Sequence, residues 1–226
     1  SLAVSFAADE LILACKTRND AAAVQPVKTI SKLNAKDRNI VLLNLSDKGD
    51  LKIAKSNGIG RTAELKGEGF VVQRSVKNPT TVWVAGFDEA GTMYGGLEVA
   101  EIIKTKGFDA VQPQLQNPYM KVRGTKFNLP LDVRTPTYTD PSDAAQMNMA
   151  EMWNFEFCKE YIDNLARYRY NLVSLWNEHP FPSMVRVPEY PDVALDDVRK
   201  STVKWKETYS LSGQEFDAPE IVNNYE

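Results

Sequence analysis

Along the first 110 residues, solid apolar runs alternate with stretches whose apolar positions recur every three or four residues, the pattern of strands alternating with helices. Residues 2–6 form a short apolar run, and residues 7–16 combine good helix formers with early acids and Lys16 in the last turn, so the chain is predicted to open as a strand running into a helix. Residues 39–45 (Asn-Ile-Val-Leu-Leu-Asn-Leu) read as a buried strand, followed by a helix start over 47–50 and a stop at Gly58-Ile59-Gly60. Residues 69–75 and 80–85 are β-rich and flank Val76-Lys77-Asn78-Pro79, whose Asn-Pro pair favours a turn; the two runs predict an antiparallel hairpin.

Residues 86–103 predict a glycine-punctuated turn leading into a helix, with glycines that let the helix lie close on a sheet. Neither GxGxxG nor GxxxxGK[ST] is present, so packing accounts for these glycines better than a nucleotide phosphate does. Residues 107–118, with Pro113, Pro118, three glutamines and Asn117, have the composition of a linker.

Beyond it the pattern becomes strand (119–131), loop (135–143), helix (155–170) and strand (172–176). A β-loop-α-β order with a parallel second strand is the repeating unit of α/β barrels. Trp153, Phe155, Phe157, Tyr161, Tyr168 and Tyr170 stand at helical spacing, which assigns them to a core packed on the strands before a sugar-stacking surface. The tail from Val203, with Trp205, Tyr209, Phe216 and Tyr225, has weaker periodicity.

Composition narrows the function classes. With 226 residues, 43% hydrophobic and 25% charged, the chain has enough apolar mass for one or two cores. A net charge of −3 lacks the basic excess that a nucleic acid partner demands. No apolar run reaches the roughly 18 residues of a membrane span. Cys15 and Cys158 lie in apolar helical contexts without metal spacing and read as core thiols, so neither a disulfide framework, a metal nor a cofactor is expected. The start at Ser1, without Met, suggests a trimmed leader and an extracytoplasmic (periplasmic or secreted) location.

Two stretches carry a family resemblance. The first joins the Gly69-Phe70-Val71-Val72 strand to the Gly86-Phe87-Asp88-Glu89-Ala90-Gly91-Thr92-Met93-Tyr94-Gly95 turn; the second runs from Arg123-Gly124 through Asn128 to Asp132 and Arg134, then through a helix to Tyr170-Asn171. Together they resemble glycoside hydrolases of the family 20 β-hexosaminidase and family 67 α-glucuronidase kind. The resemblance implies an α/β fold class: a sandwich-like accessory domain over residues 1–112, similar to the second domain of β-hexosaminidases, a linker over 113–118, and the N-terminal portion of a (β/α)8 TIM barrel over 119–226. Where family 20 follows its second barrel strand with a histidine and paired aspartates, this chain has Asn177-Glu178-His179-Pro180-Phe181-Pro182.

Barrel active sites sit at the C-terminal ends of the strands, which selects the candidates. The resemblance implies that Arg123 contacts sugar hydroxyls, for which a planar guanidinium fork is suited; a structural ion pair is the alternative. Strict alternation puts Gly124, Lys126 and Asn128 on one face of the strand and Arg123, Thr125 and Phe127 on the other, so Arg123 competes with the Lys126/Asn128 pair for the barrel interior. Lys126 and Asn128 either bind substrate or satisfy neighbouring backbone and carboxylates.

Trp176, Asn177, Glu178 and His179 form the most site-like group: an aromatic platform, an amide, a carboxylate and the chain's single histidine at a strand end. Glycosidases use two carboxyl groups flanking the scissile bond, and Glu178 is a candidate for one of them or for orienting a hydroxyl, whereas His179 also reads as a loop residue held by Pro180 and Pro182.

A closed barrel takes about 250 residues, more than twice the length of chain beyond residue 118. The expectation is therefore an N-terminal fragment of a polysaccharide-degrading glycosidase, acting by carboxylate acid/base chemistry, with its catalytic acids beyond Glu226 and a carbohydrate as partner. Two alternatives stay open: a non-catalytic carbohydrate-binding or scaffold protein of the same fold, and a complete two-domain α/β binding protein.

Overall fold

Alternation along three strands decides how the first half folds. Ile40 and Leu42, Phe70 and Val72, and Val82 and Val84 join one apolar cluster, while Val41 and Leu43, Val71, and Trp83 and Ala85 join another. A sheet with both faces apolar must be covered on both. A computed structural model describes residues 1–17, 24, 26–27, 29–128, 155–176 and 189. It divides into two compact units, Ser1–Lys121 and Val122–Glu226.

The first unit is a mixed four-stranded sheet of β1 (Asn39–Asn44), β2 (Phe70–Arg74), β3 (Thr81–Gly86) and β4 (Gln114–Gln116), in the order β1-β3-β2-β4. β1 and β3 run parallel, with Asn39 opposite Thr81 and Asn44 opposite Gly86. β2 and β3 form the expected antiparallel hairpin, with Phe70 opposite Gly86 and Arg74 opposite Val82. β3 is central and buried throughout.

One face is covered by α1 (Leu2–Thr17) and α3 (Glu89–Lys106), whose Leu11, Ala14, Tyr94, Leu97, Val99 and Ile103 share a cluster with the sheet. The other is covered by α2 (Lys48–Ser56), through Ala54, and by Ile59 and Leu65 from the following segment.

Residues 2–6, read from sequence as a strand, are the first turn and a half of α1. A short apolar run does not by itself separate strand from buried helix. Here packing on α3 decides, because Ala7 is fully buried and a Cβ placed on Gly96 would lie 2.8 Å from the Ala7 Cβ. Part of the predicted linker likewise belongs to the sheet: β4 pairs with β2, Val71 opposite Leu115, and Asn117 accepts from the Lys66 N–H at 2.8 Å and donates to the Glu64 carbonyl at 3.0 Å.

The glycine-punctuated turn is explained by local bonding. Asp88 caps α3 by accepting from the Gly91 N–H through Oδ1 at 2.8 Å, and its Oδ2 accepts from the Glu68 N–H at 3.0 Å. Buried Thr92 donates to the Leu43 carbonyl at 3.0 Å, tying the helix to β1. A Cβ on Gly95 would lie 2.6 Å from Val84 Cγ1 and 3.0 Å from the Phe70 ring, so the missing side chain sets how closely α3 approaches the sheet.

At the far end, Arg74 donates to three backbone carbonyls, those of Val111 (3.1 Å), Pro79 (3.0 Å) and Phe108 (2.8 Å), and its guanidinium lies 5.1 Å from the Phe108 ring centre. Three donors in one plane fit three carbonyls, two from the turn at Phe108–Val111 and one from the loop before β3, a match that lysine does not offer.

The described part of the second unit is a β-α-β arrangement of β5 (Gly124–Asn128), α4 (Phe155–Arg167) and β6 (Leu172–Trp176), with β5 and β6 parallel. The segment 172–176 is the strand its sequence predicts. α4 is amphipathic, with Lys159 and Asp163 paired at 2.7 Å on its polar side. Its aromatic face differs from the expected core, since no described residue of α4 is buried, Phe155 is exposed, and Phe157 and Tyr161 stack on each other at 6.4 Å. Among the described residues, two strands present too little apolar area to bury a whole helix face.

Candidate functional site

The two parallel strands define two ends. Pairing runs from Gly124–Leu172 through Thr125–Val173, Lys126–Ser174 and Phe127–Leu175 to Asn128–Trp176. The C-terminal end is thus marked by Asn128 and Trp176, two residues far apart in sequence that the register sets side by side. Lys126 lies two residues before Asn128 on β5, exposed, opposite Ser174. Ser174, also exposed, has no signal in a single sequence; parallel pairing alone puts it opposite a candidate residue. Asn177, Glu178 and His179 continue from Trp176 and lie outside the described residues.

Arg123 belongs to the other end. It precedes the first residue of β5, its N–H donates to Asn171 Oδ1 at 2.8 Å, and its carbonyl accepts from the Asn171 N–H at 2.8 Å and from the Leu172 N–H at 3.2 Å. Its Nε donates to the Arg169 carbonyl at 2.6 Å. These bonds tie the starts of β5 and β6 together. Arg123 and the Lys126/Asn128 pair are separated by position along the strand: Arg123 stands before the N-terminal end of β5, and Lys126 and Asn128 lie toward its C-terminal end.

The turn that receives Arg123 has a definite cause. Tyr170 N–H donates to the Leu165 carbonyl and Arg169 N–H to the Ala166 carbonyl, both at 2.9 Å, with Arg169 at φ +62°. This is a Schellman closure of α4, with arginine where glycine is usual. The left-handed conformation costs a non-glycine residue about 1 kcal/mol, offset in part by the bond from Arg123 to the Arg169 carbonyl.

Chemically, Lys126 and Ser174 set an exposed amine and an exposed hydroxyl opposite each other on adjacent parallel strands. Such a pair can donate to and accept from hydroxyl groups.

Comparison with solved structures places this architecture. The fold is similar to that of solved glycoside hydrolases. A GH138 enzyme targeting pectin rhamnogalacturonan II matches with a TM-score of 0.57 and 23% identity, over 84% of this chain and 24% of that one. A family GH115 4-O-methyl-α-glucuronidase with specificity for decorated arabinogalactans matches with a TM-score of 0.50 and 20% identity, over 87% of this chain and 25% of that one. The chain thus spans about a quarter of the length of these glycoside hydrolases. No protein-family model matches the sequence, and comparison with curated proteins yields no match. No helix among the described residues is long and apolar enough to cross a membrane.

Proposed function

We propose that this chain is the N-terminal part of a glycoside hydrolase acting on a polysaccharide, with an α/β accessory domain of the family 20 and family 67 kind followed by the first β/α units of a (β/α)8 barrel. The observation that carries the reading is the parallel β5–β6 pair, whose register aligns Asn128 with Trp176 at the strand ends, joined to the likeness of most of the chain to glycoside hydrolase structures. Lys126, Asn128 and Trp176, continued by Asn177, Glu178 and His179, hold one side of the sugar by hydrogen bonding and stacking. Arg123 supports the strands.

Hydrolysis in this reading uses two carboxyl groups flanking the glycosidic oxygen, one giving it a proton while the other acts as nucleophile or activates water. Glu178 orients a hydroxyl or supplies one of the two, and later strands supply the remaining acid. A polymeric substrate is too large to enter a cell intact, which favours an extracytoplasmic location.

The test is reducing-sugar release from pectic and arabinogalactan polysaccharides, comparing the product of the complete reading frame with the 226-residue chain. Hydrolysis by the former and none by the latter is expected. Sugar binding without hydrolysis by the complete product would favour a non-catalytic binding protein of the same fold.

A further inference from the structure

The sheet of the first unit has an open edge at β1, which is paired on one side only, with β3. The Asn39 N–H donates to the Thr80 carbonyl and the Leu45 N–H to the Gly86 carbonyl, both at 2.9 Å. Backbone groups turn to alternate sides along a strand, so Asn39, Val41 and Leu43 face β3, whereas Ile40, Leu42 and Asn44 face outward. The Asn44 N–H is taken by Asp50 Oδ2 at 2.9 Å. Among the described residues, no bond reaches the outward N–H and C=O groups of Ile40 and Leu42. Natural sheets guard bare edges with charges, prolines or bulges; residues 39–45 contain no charge, proline or glycine.

A helix stands over this edge. α3 lies over β3. A Cβ on Gly95 would meet Val84 and Phe70, whereas one on Gly96 would meet Ala7 of α1 and, at 3.5 Å, Leu42 of β1. α1 is therefore the neighbour of α3 on the β1 flank. Packed helices lie about 8–10 Å apart and paired strands about 4.8 Å, so α1 stands two strand spacings from β3, one place beyond β1. α1 is apolar nearly all round: beside its buried stripe of Ala7, Leu11 and Ala14, a second stripe of Val4, Ala8 and Ile12 is half-buried. A helix of that composition is built to be enclosed.

We infer that the edge of β1 is an acceptor site for one further strand, lying beneath α1 and parallel to β1, and that the polypeptide leading directly into α1 supplies it. The strand takes the outward N–H and C=O groups of Ile40 and Leu42 and is extended and largely apolar, the chemistry of strand addition to a sheet edge. Its direction follows from the unit already present. β3 and β4 both run antiparallel to β2, hence parallel to each other, and α3 joins them on this same face. A strand joined to β1 through α1 steps across the sheet in the same sense, and parallel β-α-β connections share one hand. Its source rests on the reading of this chain as part of a longer protein, but no catalytic residue enters.

The test is residue-resolved hydrogen exchange on three proteins: the 226-residue chain, the same chain extended by about ten residues of its own reading frame upstream of Ser1, and a control with a Gly/Ser extension of equal length. About ten residues suffice for a strand and a short loop. In the unextended chain, Ile40 and Leu42 amides should exchange fast beside protected Val41 and Leu43. The native extension alone should slow Ile40 and Leu42 about tenfold or more.

Equal rates in all three proteins, the same slowing with the Gly/Ser extension, or a mature protein that begins at Ser1 would overturn the inference, while the hydrolase reading keeps its own assay. Protection in the unextended chain that grows with protein concentration would also overturn it, by assigning the edge to a second copy.

Discussion

Arg123 and Asn171 bond each other reciprocally: the Arg123 N–H donates to Asn171 Oδ1 at 2.8 Å and the Asn171 N–H donates back to the Arg123 carbonyl at 2.8 Å. An asparagine immediately before β6 thereby fixes where β5 begins, and with it the register that aligns Asn128 with Trp176. Asn171→Ala keeps the backbone bond and loses the side-chain one, so it is expected to destabilise the β5–β6 pair by about 1 kcal/mol. Asn171→Asp keeps an acceptor at the same place and should cost less. Hydrogen exchange at the Arg123 amide reads the difference; equal protection in wild type and Asn171→Ala would show that the side chain does not hold the strand.

Asp88 uses both carboxylate oxygens, one on the first turn of α3 and one on the loop before β2. Asp88→Ala removes the helix cap and the loop bond together and should cost about 2 kcal/mol, the upper part of the range for cap deletions. Asp88→Asn retains a single acceptor and should fall between. Urea denaturation orders the three proteins, and an Asn variant as unstable as the Ala variant would refute the division of labour between the two oxygens.

Gly95→Ala sets two effects against each other. In a solvated helix the change is worth up to about 1 kcal/mol of stabilisation. Here the new Cβ would meet Val84 Cγ1 at 2.6 Å and the Phe70 ring at 3.0 Å, and overpacking of this kind costs about 1–3 kcal/mol. The expected outcome is net destabilisation in urea. A more stable variant would mean that α3 can lift from the sheet at little cost.

Much of the first unit is legible in the pattern of residues because each feature there is local. The Asn-Pro turn announces the β2–β3 hairpin, and Asp47 announces the start of α2, where it accepts from the Gly49 and Asp50 N–H groups. The opening residues mislead because the helical state of 2–6 is set by packing on α3, far along the chain. β4 escapes because three residues at a sheet edge, two of them glutamine, carry no periodicity.

In the candidate site, Lys126 and Asn128 are separable from Arg123 by strand face but not by strand end, since the end depends on where pairing starts. That is decided by the contact between Arg123 and Asn171, which no local pattern reveals.

Arg61 and Glu64 form an exposed two-pronged pair, with Nε and Nη2 each donating at 2.9 Å. The hydrogen bond from Arg61 is the largest cause holding the Glu64 carboxyl below its ordinary range, assisted by charge attraction and opposed by desolvation. A lowered folded pKa means that the stabilisation is present above the unfolded value, about pH 4.3, and is lost as pH falls through the folded value. Glu64→Gln should therefore be slightly less stable than wild type at neutral pH, with the difference fading in strong acid. Urea midpoints under both conditions check this; an unchanged gap in acid would show that ionisation of Glu64 plays no part.

The central claim is that Asn128 and Trp176, brought together by the β5–β6 register, belong to the substrate site of a glycoside hydrolase. The most direct measurement is kcat/KM for polysaccharide hydrolysis by the product of the complete reading frame, as wild type and as Asn128→Ala, with thermal midpoints recorded alongside. Loss of a substrate hydrogen bond should lower kcat/KM by about tenfold or more while leaving the midpoint nearly unchanged. An unaltered kcat/KM, or no cleavage of any glycosidic bond by the wild type, would contradict the account.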